Sequence, residues 1–436
     1  MESSVSTSSV NTGGLRNKAV VYPSPVAKGD RHLWGIYILL VFMGIVELYS
    51  ASSRLVRTTT ISVYNPILIN ALILLAGLGI IWILQRTHYR VILKYAPAFA
   101  GLSVVLMLIT IFAGKEVNSA TRAIDLKIFT LQPSEFLKLS AAMMVALFTA
   151  KFQKKGGGVE NTGVFLSAAL ILVFCAMLAP QGLTNTLLLM SISVSMMLIG
   201  GIEIRKIAVV MLVYVLCFLG YLGYTHIRNS YKTENTEQVS GKKDRTGVWS
   251  DRLDSYFGDG PKYEEPLTSE NRQEMLGYMA QANGGVFGVG PGNSRETARL
   301  PLAHTDYIYA IIVEEMGLMG GIFVLVLYLW LLARASSIAS RCSRAFPALL
   351  VIGMALTIVF QALFHICIVT GVIPVSGQPL PLISKGGTSV LITSIAFGVM
   401  LSVSRFAVRT KGDKTDIKNE IEALPESVRA ENPTQL

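Results

Sequence analysis

Ten long apolar runs follow one another along this chain, most of them separated by short polar connections. A helix needs about 20 apolar residues to cross a hydrocarbon core about 30 Å thick, and it satisfies its own backbone hydrogen bonds there. The runs lie at residues 33–52, 66–85, 95–113, 133–150, 163–179, 184–200, 207–224, 306–333, 347–371 and 388–405. The sequence therefore predicts an all-α, polytopic membrane protein with about ten transmembrane helices.

The distribution of charge predicts how these helices are oriented. Hydrophobic residues make up 52% of the chain, charged residues make up only 15%, and the net charge is +10. With the N-terminus in the cytoplasm, the short inner loops carry eleven Lys and Arg residues and the short outer loops carry six. Because cytoplasmic loops are enriched in Lys and Arg, this asymmetry predicts ten spans with both termini in the cytoplasm. The positive charge is then explained by membrane orientation, and nucleic acid is not an expected partner.

The chain divides into a membrane domain and two polar tails. Residues 1–32 are Ser-rich and have no apolar core of their own, so we expect a disordered cytoplasmic tail and no cleaved signal peptide. Residues 410–436 alternate charge with Pro and Asn and are predicted to form a second disordered cytoplasmic tail. The membrane domain at 33–409 contains one large outer loop at about 225–305, between the seventh and eighth spans. Such long loops are usually functional or disordered, and the turn-rich final part of this one is predicted to be ordered.

The stretch "RLPLAHTDYIYAIIVEEMG", residues 299–317, contains three acids where burial is costly. Thr305 and Asp306 suit a helix start, where side-chain oxygens accept hydrogen bonds from unpaired backbone amides. The other interpretation of Asp306 is a general base at the outer surface. Burial would raise the pKa of its carboxyl and the helix end would lower it, and the sequence leaves that balance open. Glu314 and Glu315 lie about two turns further in, where ionisable groups need partners or a cavity.

A second polar stretch, "NSATRAIDLKIFTLQPSEFLKLS" at residues 118–140, precedes and opens the fourth span. Glu135 and Lys138 are spaced i, i+3 and can pair on one helix face, so a buried ion pair is one interpretation. Arg122 and Lys127 are predicted to lie on the outer side of the membrane. A guanidinium group there suits a phosphate, which makes Arg122 a candidate ligand for an anionic substrate.

A third polar stretch, "GVIPVSGQPLPLISKGGTS" at residues 371–389, separates the last two spans. Its Pro and Gly residues break a helix, and such backbone at membrane depth is tolerated only where protein or a wet cavity surrounds it. Ser384 and Lys385 lie in a part rich in hydroxyls and flexible amides, which can form an anion-binding nest. A re-entrant turn capped by Ser and Thr is the alternative. The segment "GGVFGVGPGNS" at 284–294 lacks the Lys of a nucleotide-binding loop, so nucleotide binding is not expected.

These motifs together resemble those of a known family. The stretches "QPSEFLKLS", "GVFGVGPGNSRETARLPLAHTDYIYAIIVEEMGLMGG" and "PLPLISKGGTS" look like signature motifs of the SEDS family (shape, elongation, division and sporulation), which includes FtsW, RodA and SpoVE. "GIVELYSASS" in the first span is also similar, and the match runs in order through the membrane portion. The resemblance implies a peptidoglycan glycosyltransferase of the bacterial inner membrane whose active site faces outward. Such an enzyme joins lipid II disaccharides into glycan strands and releases undecaprenyl diphosphate.

The family motif, in which an aspartate follows His-Thr, implies that Asp306 is the catalytic carboxylate. A sugar hydroxyl has a high pKa, so a positioned base is needed as it attacks the anomeric carbon, and direct displacement inverts the configuration there. Cations must meet the charge that develops on the diphosphate. A divalent cation, Mg²⁺ or Mn²⁺, held partly by the substrate can share this role, while no metal site of the protein itself and no other cofactor is expected. The candidate substrate-binding residues are Arg122, Lys127, Lys385, Ser384, His304 and Thr305, and those predicted to give structural support are Glu315, Glu135 and Lys138.

Some positions depart from the family pattern. Leu302 stands where a Glu usually precedes "AHTD", so a second carboxylate is not available there to assist Asp306. Lys385 replaces a Tyr in "SKGGTS", and His365 stands where an Asn is common.

The resemblance also implies partners and leaves alternatives. The expected partners are a class B penicillin-binding protein that supplies the transpeptidase, lipid II, the nascent glycan, other division proteins and membrane lipids. The segment "GVGPGNS" favours the division-type branch, but "PVSGQPLP" resembles the elongation type equally well. A lipid II flippase is the rival from another class. Polar residues within the spans would line its path, namely Glu47, Glu135, Lys138, Glu315 and His365.

Overall fold

The computed structural model describes residues 29–58, 64–113, 115–117, 120–125, 130–154, 158–235, 256, 268, 271–300 and 303–407. The tails predicted at 1–32 and 410–436 lie outside these ranges except at the edge of the first tail. Much of the loop predicted at 225–305 lies outside them too. The bounds of all three segments therefore stay predictions.

The described residues are predominantly helical. The helices are α1 (Arg31–Thr58), α2 (Tyr64–Leu84), α3 (Tyr89–Ala113), α4 (Pro133–Lys151), α5 (Asn161–Leu178), α6 (Leu183–Ile199), α7 (Ile204–Asn235), α8 (Arg272–Gly284), α9 (Ile308–Ala339), α10 (Ala345–Val369) and α11 (Gly387–Phe406). Six of them, α1, α3, α5, α9, α10 and α11, contain stretches long and apolar enough to cross a membrane within the described ranges. Each of the ten predicted spans overlaps one of the described helices. Helix α8 corresponds to no predicted span and lies in the predicted outer loop. The all-α, polytopic membrane fold is confirmed, and the number of spans stays a prediction.

Helices α4, α10 and α11 form the buried centre of the bundle. Helix α4 packs against α3, α5, α6 and α10, and its buried face is rich in small residues such as Ala141 and Ala142. On α10, a Cβ added to Gly353 would lie 2.6 Å from Met196 Cε of α6. Small residues let helices approach closely in lipid, where packing and hydrogen bonds drive helix association.

Polar contacts join α1 to α9 at two levels. Asp30, which precedes α1, accepts hydrogen bonds from Arg334 Nε of α9 and from the His32 amide, each at 2.9 Å. Burial raises the pKa of the Asp30 carboxyl, but the hydrogen bond and charge of Arg334 outweigh it and hold that pKa below its usual value. Nearer the other end of the helices, Ser50 Oγ donates to Glu315 Oε1. The two helices are therefore held in register.

Gly317 interrupts α9 with φ 72° and ψ −176°, a backbone conformation that residues with a side chain rarely adopt. The segment that follows α8 lies against this kink. The amide of Val289 donates to the Glu314 carbonyl at 3.0 Å, and the amide of Gly290 donates to the Glu315 carbonyl at 2.8 Å. The end of the predicted large loop is therefore ordered and anchored to α9 by its main chain.

A small antiparallel sheet connects α3 to α4. Its strands are β1 (Lys115–Val117), β2 (Ala120–Asp125) and β3 (Thr130–Leu131), in the order β1-β2-β3. The sequence interpretation contained no strand here. Arg122 lies on β2, the central strand of this sheet.

Candidate active site

Asp306 lies in the turn that precedes α9 and is half-buried. Tyr307 occupies the N-cap position of α9 and makes no side-chain capping hydrogen bond, so Asp306 stands one residue before the cap. A Cβ built on Gly377 would lie 2.7 Å from Asp306 Oδ2. The carboxylate therefore lies directly against the main chain of the connection between α10 and α11. Because Gly377 has no side chain, the Asp306 carboxylate can occupy the space beside its Cα.

Four other predicted site residues, His304, Thr305, Ser384 and Lys385, come together beside Asp306. The Lys385 amide donates to the His304 carbonyl at 2.9 Å, and Ser384 Oγ donates to the Thr305 carbonyl at 2.8 Å. Burial and then the charge of Lys385 lower the pKa of His304, so the imidazole is neutral at pH 7. Burial also lowers the pKa of Lys385. The site thus combines a carboxylate, a neutral imidazole and an amine on adjoining loops.

The connection between α10 and α11 is held in a strained conformation. Leu382 has a φ of 66°, and a non-glycine residue in this region costs on the order of 1–3 kcal/mol. Tyr328 Oη of α9 donates to the Pro381 carbonyl at 2.6 Å. On the α1 side, a Cβ added to Gly44 would lie 2.6 Å from the Leu382 carbonyl oxygen. Close packing by α1 and α9 therefore stabilises a backbone that the local sequence alone would disfavour.

The Glu135–Lys138 pair supports the same connection from inside the bundle. Lys138 Nζ lies 2.8 Å from Glu135 Oε1, and both side chains are almost completely buried. Lys138 also donates to Gln361 Oε1 at 3.1 Å, and Gln361 Nε2 donates to the Pro379 carbonyl at 3.3 Å. The ion pair is thus linked through α10 to the loop beside Asp306. Its functional role stays a prediction.

A second polar chain ties this loop to α6. His365 Nδ1 lies 2.6 Å from the Gln378 carbonyl oxygen, and Gln378 Nε2 donates to Asn185 Oδ1 at 3.1 Å. Gln378 follows Gly377, the residue against which Asp306 packs. The loop is therefore positioned by side chains from α4, α6, α9 and α10.

Glu314, whose role the sequence left undecided, fastens the other loop of the site. Its carboxylate accepts hydrogen bonds from Ser294 Oγ and from the Arg295 amide, the latter at 2.8 Å. Ser294 Oγ in turn accepts from the Thr297 amide at 3.1 Å. Glu314 therefore satisfies donors at the start of the short 3₁₀ helix Glu296–Ala298, which lies on the path to His304 and Asp306.

The structure does not describe where the other two candidate cations, Arg122 and Lys127, lie relative to the site. The side chain of Arg122 on β2 and the whole of Lys127 lie outside the described residues. The sheet itself reaches the site, because Thr388 Oγ1 donates to the Thr130 carbonyl at 2.7 Å and accepts from the Gln132 amide at 3.1 Å. Contact between Arg122 or Lys127 and a substrate stays a prediction.

Sequence interpretation did not single out Gly377, Gln378 or Asn185. Gly377 and Gln378 stand within "VSGQPLP", where a Gly beside a Pro-rich turn signals close backbone approach. Asn185 had no signal beyond being polar near the start of an apolar run. Within the described part of the chain, no group of three or more His, Cys, Asp or Glu side chains is placed to hold a metal ion.

Together, fold and site define a polytopic membrane protein with a candidate acid–base site where two loops meet at one end of its helix bundle. The chain belongs to the FtsW, RodA and SpoVE family, because the sequence model of that family, described as "Cell cycle protein", matches residues 30–409. The resemblance indicated by the motifs is confirmed.

Individual relatives extend this finding. The chain is 29% identical over 390 residues to a protein of Aliivibrio salmonicida named "Probable peptidoglycan glycosyltransferase FtsW", across 88% of this chain and 91% of that one. It is 28% identical over 382 residues to "Stage V sporulation protein E" of Bacillus subtilis, across 85% of this chain and 96% of the relative.

Solved structures share the fold. The crystal structure of the rod shape determining protein RodA of Thermus thermophilus matches with a TM-score of 0.59 at 22% identity, covering 88% of this chain and 98% of that one. A chain from a peptidoglycan synthase complex that coordinates polymerization and crosslinking matches with a TM-score of 0.61 at 21% identity, covering 86% of this chain and 97% of that one.

Proposed function

We propose that this protein is a peptidoglycan glycosyltransferase that joins lipid II disaccharides into glycan strands. The observation that carries the proposal is the Asp306 carboxylate, held half-buried against Gly377 between two anchored loops. The names of the FtsW relatives support the same activity. The segment "GVGPGNS" and the relatives named FtsW favour the role in division, that is in septal wall synthesis, over an elongation role.

In the proposed reaction, Asp306 is the general base. A sugar hydroxyl of one substrate loses its proton to Asp306 as its oxygen attacks the anomeric carbon of the other. A glycosidic C–O bond forms while the bond from that carbon to the diphosphate oxygen breaks, with inversion at the carbon. Undecaprenyl diphosphate leaves with the bonding electron pair. Proton transfer of this kind contributes ~10²–10⁴-fold to the rate.

Positive charge is needed where the diphosphate leaves. We assign this role to Lys385, which is exposed and lies close enough to His304 for its charge to act on the imidazole, and to Arg122 and Lys127 on the connection between α3 and α4. His304 is neutral at pH 7 and can donate or accept a hydrogen bond without adding charge. The described residues do not form a metal site of their own, so a divalent cation would take most of its ligands from the diphosphate.

The proposal places the protein in the bacterial cytoplasmic membrane, with both termini in the cytoplasm and the Asp306 site facing outward. The excess of Lys and Arg in the short inner loops supports this orientation. A class B penicillin-binding protein is the proposed partner, together with other division proteins. The fold shared with a chain of a peptidoglycan synthase complex supports that pairing.

Polymerisation by purified protein tests the proposal. The full chain, combined with a class B penicillin-binding protein, is supplied with labelled lipid II, and glycan length is read on a gel. We expect Asp306→Asn to make no measurable polymer while unfolding at the wild-type temperature. Glu203→Gln is the matched control, since the Glu203 side chain is 64% exposed and pairs only with Lys206 among the described residues. Polymer from Asp306→Asn at the wild-type rate contradicts the base assignment. Lipid II translocation by wild-type protein without any polymer would favour a flippase.

A further inference from the structure

Glu47 of α1 and Glu315 of α9 are two buried acids on helices that pack against each other, and Ser50, three residues after Glu47, contacts Glu315. Their exposed fractions are 0% and 1%, and the two carboxyl groups interact electrostatically. Both oxygens of Glu47 and Oε2 of Glu315 accept no hydrogen bond from any described residue. Ser50 Oγ donates to the remaining oxygen, Oε1 of Glu315. Three buried carboxyl oxygens therefore need a donor that the described polar groups do not supply.

Two arginines on or beside the elements that pack against α1 have other partners within the described residues. Arg334 of α9 pairs with Asp30 at the opposite end of the helices. Arg299, beside the 3₁₀ helix, lies 3.7 Å from Glu296. The neighbouring Glu314 carboxylate accepts from Ser294 and from backbone amides. Arg334 and Arg299 are therefore engaged away from Glu47 and Glu315, and the Arg295 side chain beside the same 3₁₀ helix is exposed.

Two neighbouring ionised carboxylates are costly in a buried, low-dielectric interior. Each unpaired charge would lose its hydration, and the two would repel each other. A single proton removes both costs, because a protonated carboxyl is neutral and becomes a hydrogen-bond donor. The Ser50 hydrogen bond favours the charge on Glu315, since hydrogen bonding to an ionised form stabilises it. The proton therefore belongs on Glu47.

We propose that Glu47 is a neutral carboxylic acid in the folded protein, that it pairs with the Glu315 carboxylate, and that this pair is a positioning device for the loops around Asp306. The consequence for activity rests on the proposed function. The link to the site is the main chain of α9 at Glu315, whose carbonyl accepts from the Gly290 amide at 2.8 Å. The preceding residue, Glu314, fastens the segment that leads to His304 and Asp306.

The protonation state can be measured without any activity. Infrared difference spectra of the full chain in lipid nanodiscs, wild type minus Glu47→Gln, should show the C=O band of a protonated carboxylic acid that shifts in D₂O. Wild type minus Glu203→Gln should show ionised carboxylate bands only, because Glu203 is exposed. If the Glu47 difference spectrum contains ionised carboxylate bands only, the proposal is overturned.

Variants at position 47 separate a proton donor from a packing residue. Glu47→Gln keeps an N–H donor for Glu315, whereas Glu47→Met keeps the side-chain size but offers no donor. A buried charged acceptor left without a donor is costly, so we expect Glu47→Met to lower the unfolding temperature and to reduce polymerisation ~10-fold or more. Glu47→Gln should retain the wild-type unfolding temperature and at least about half of the activity. Equal behaviour of the Met and Gln variants would show a packing role and refute the pairing.

Two outcomes separate this inference from the proposed function and from a cation site. If wild-type protein makes no polymer, the proposed function fails while the infrared and unfolding measurements still test the pair. A bound metal ion would raise the unfolding temperature in NaCl or MgCl₂ relative to choline chloride, and Glu47→Gln would abolish that rise. We expect the same unfolding temperature of wild type in all three salts at matched ionic strength. A rise in unfolding temperature that depends on Glu47 would show that a bound cation, and not a proton, neutralises the pair, and would overturn the proposal.

Discussion

Gly377→Ala should damage the candidate site while leaving the fold almost intact. The added Cβ would lie 2.7 Å from Asp306 Oδ2 and 3.3 Å from its Cγ. Non-bonded heavy atoms settle at about 3.5–4.0 Å, so the carboxylate must shift by about 1 Å. The clashing atoms are the end of a side chain that can rotate away, so the cost in stability is small. The position of the proposed base, however, changes.

A misplacement of about 1 Å can cost 10²-fold in rate, so we expect polymerisation by Gly377→Ala to fall about 10- to 100-fold. The assay is glycan formation from labelled lipid II, with the unfolding temperature measured on the same preparation. Gly101→Ala is the matched control, because a Cβ at Gly101 in α3 meets no atom within 4 Å. In a helix interior, Ala is favoured over Gly by about 0.5–1 kcal/mol, so the control should be fully active and no less stable.

Two results would refute this reasoning. A wild-type rate for Gly377→Ala would show that the carboxylate position seen here does not govern the reaction. A parallel loss of rate and unfolding temperature would instead show that Gly377 is needed for folding.

Two further predictions concern the surroundings of the site. Lys138→Met leaves the Glu135 carboxylate buried without its cation, which should lower the free energy of unfolding by about 3–5 kcal/mol. Adding Glu135→Leu should restore much of that stability in thermal unfolding. Equal unfolding temperatures of wild type and Lys138→Met would contradict the pairing. The second concerns His304, whose pKa is lower in the folded state than its ordinary value of about 6.5. On acidification the unfolded state takes up the proton first, so the free energy of unfolding should fall as pH drops below about 6.5 toward the folded pKa. The decline should be smaller in His304→Gln, and identical pH profiles for the two proteins would show that His304 titrates normally.

Much of the membrane architecture follows from local sequence. Apolar runs of spanning length predict helices because each helix satisfies its own backbone in lipid, whatever its neighbours do. The Glu135–Lys138 contact was also predictable, since i, i+3 spacing places both side chains on one helix face. The sheet between α3 and α4 was missed, because its strands are short and lack a clear apolar alternation.

Parts of the site depend on residues far apart in the chain. Asp306 stands out in the sequence, and the motif around it indicated its neighbours His304 and Thr305. The contact between Asp306 and Gly377 is not visible in the sequence, because the two residues lie on loops separated by α9 and α10. The separate roles of adjacent Glu314 and Glu315 were equally invisible: one fastens a loop, and the other meets Ser50 and Glu47 of α1.

By itself, the sequence determined that this chain forms an all-α membrane protein, which family it resembles, and which acids are candidates for chemistry. Hydropathy and short motifs carry that information because they act within one element. Tertiary structure decided which backbone lies against Asp306, which partner each buried acid has, and how the strained turn at Leu382 is held. Those outcomes depend on how five helices pack around two loops, namely α1, α4, α6, α9 and α10. The physical reason is burial, because the free energy of a buried polar group depends on the partners that the fold brings to it.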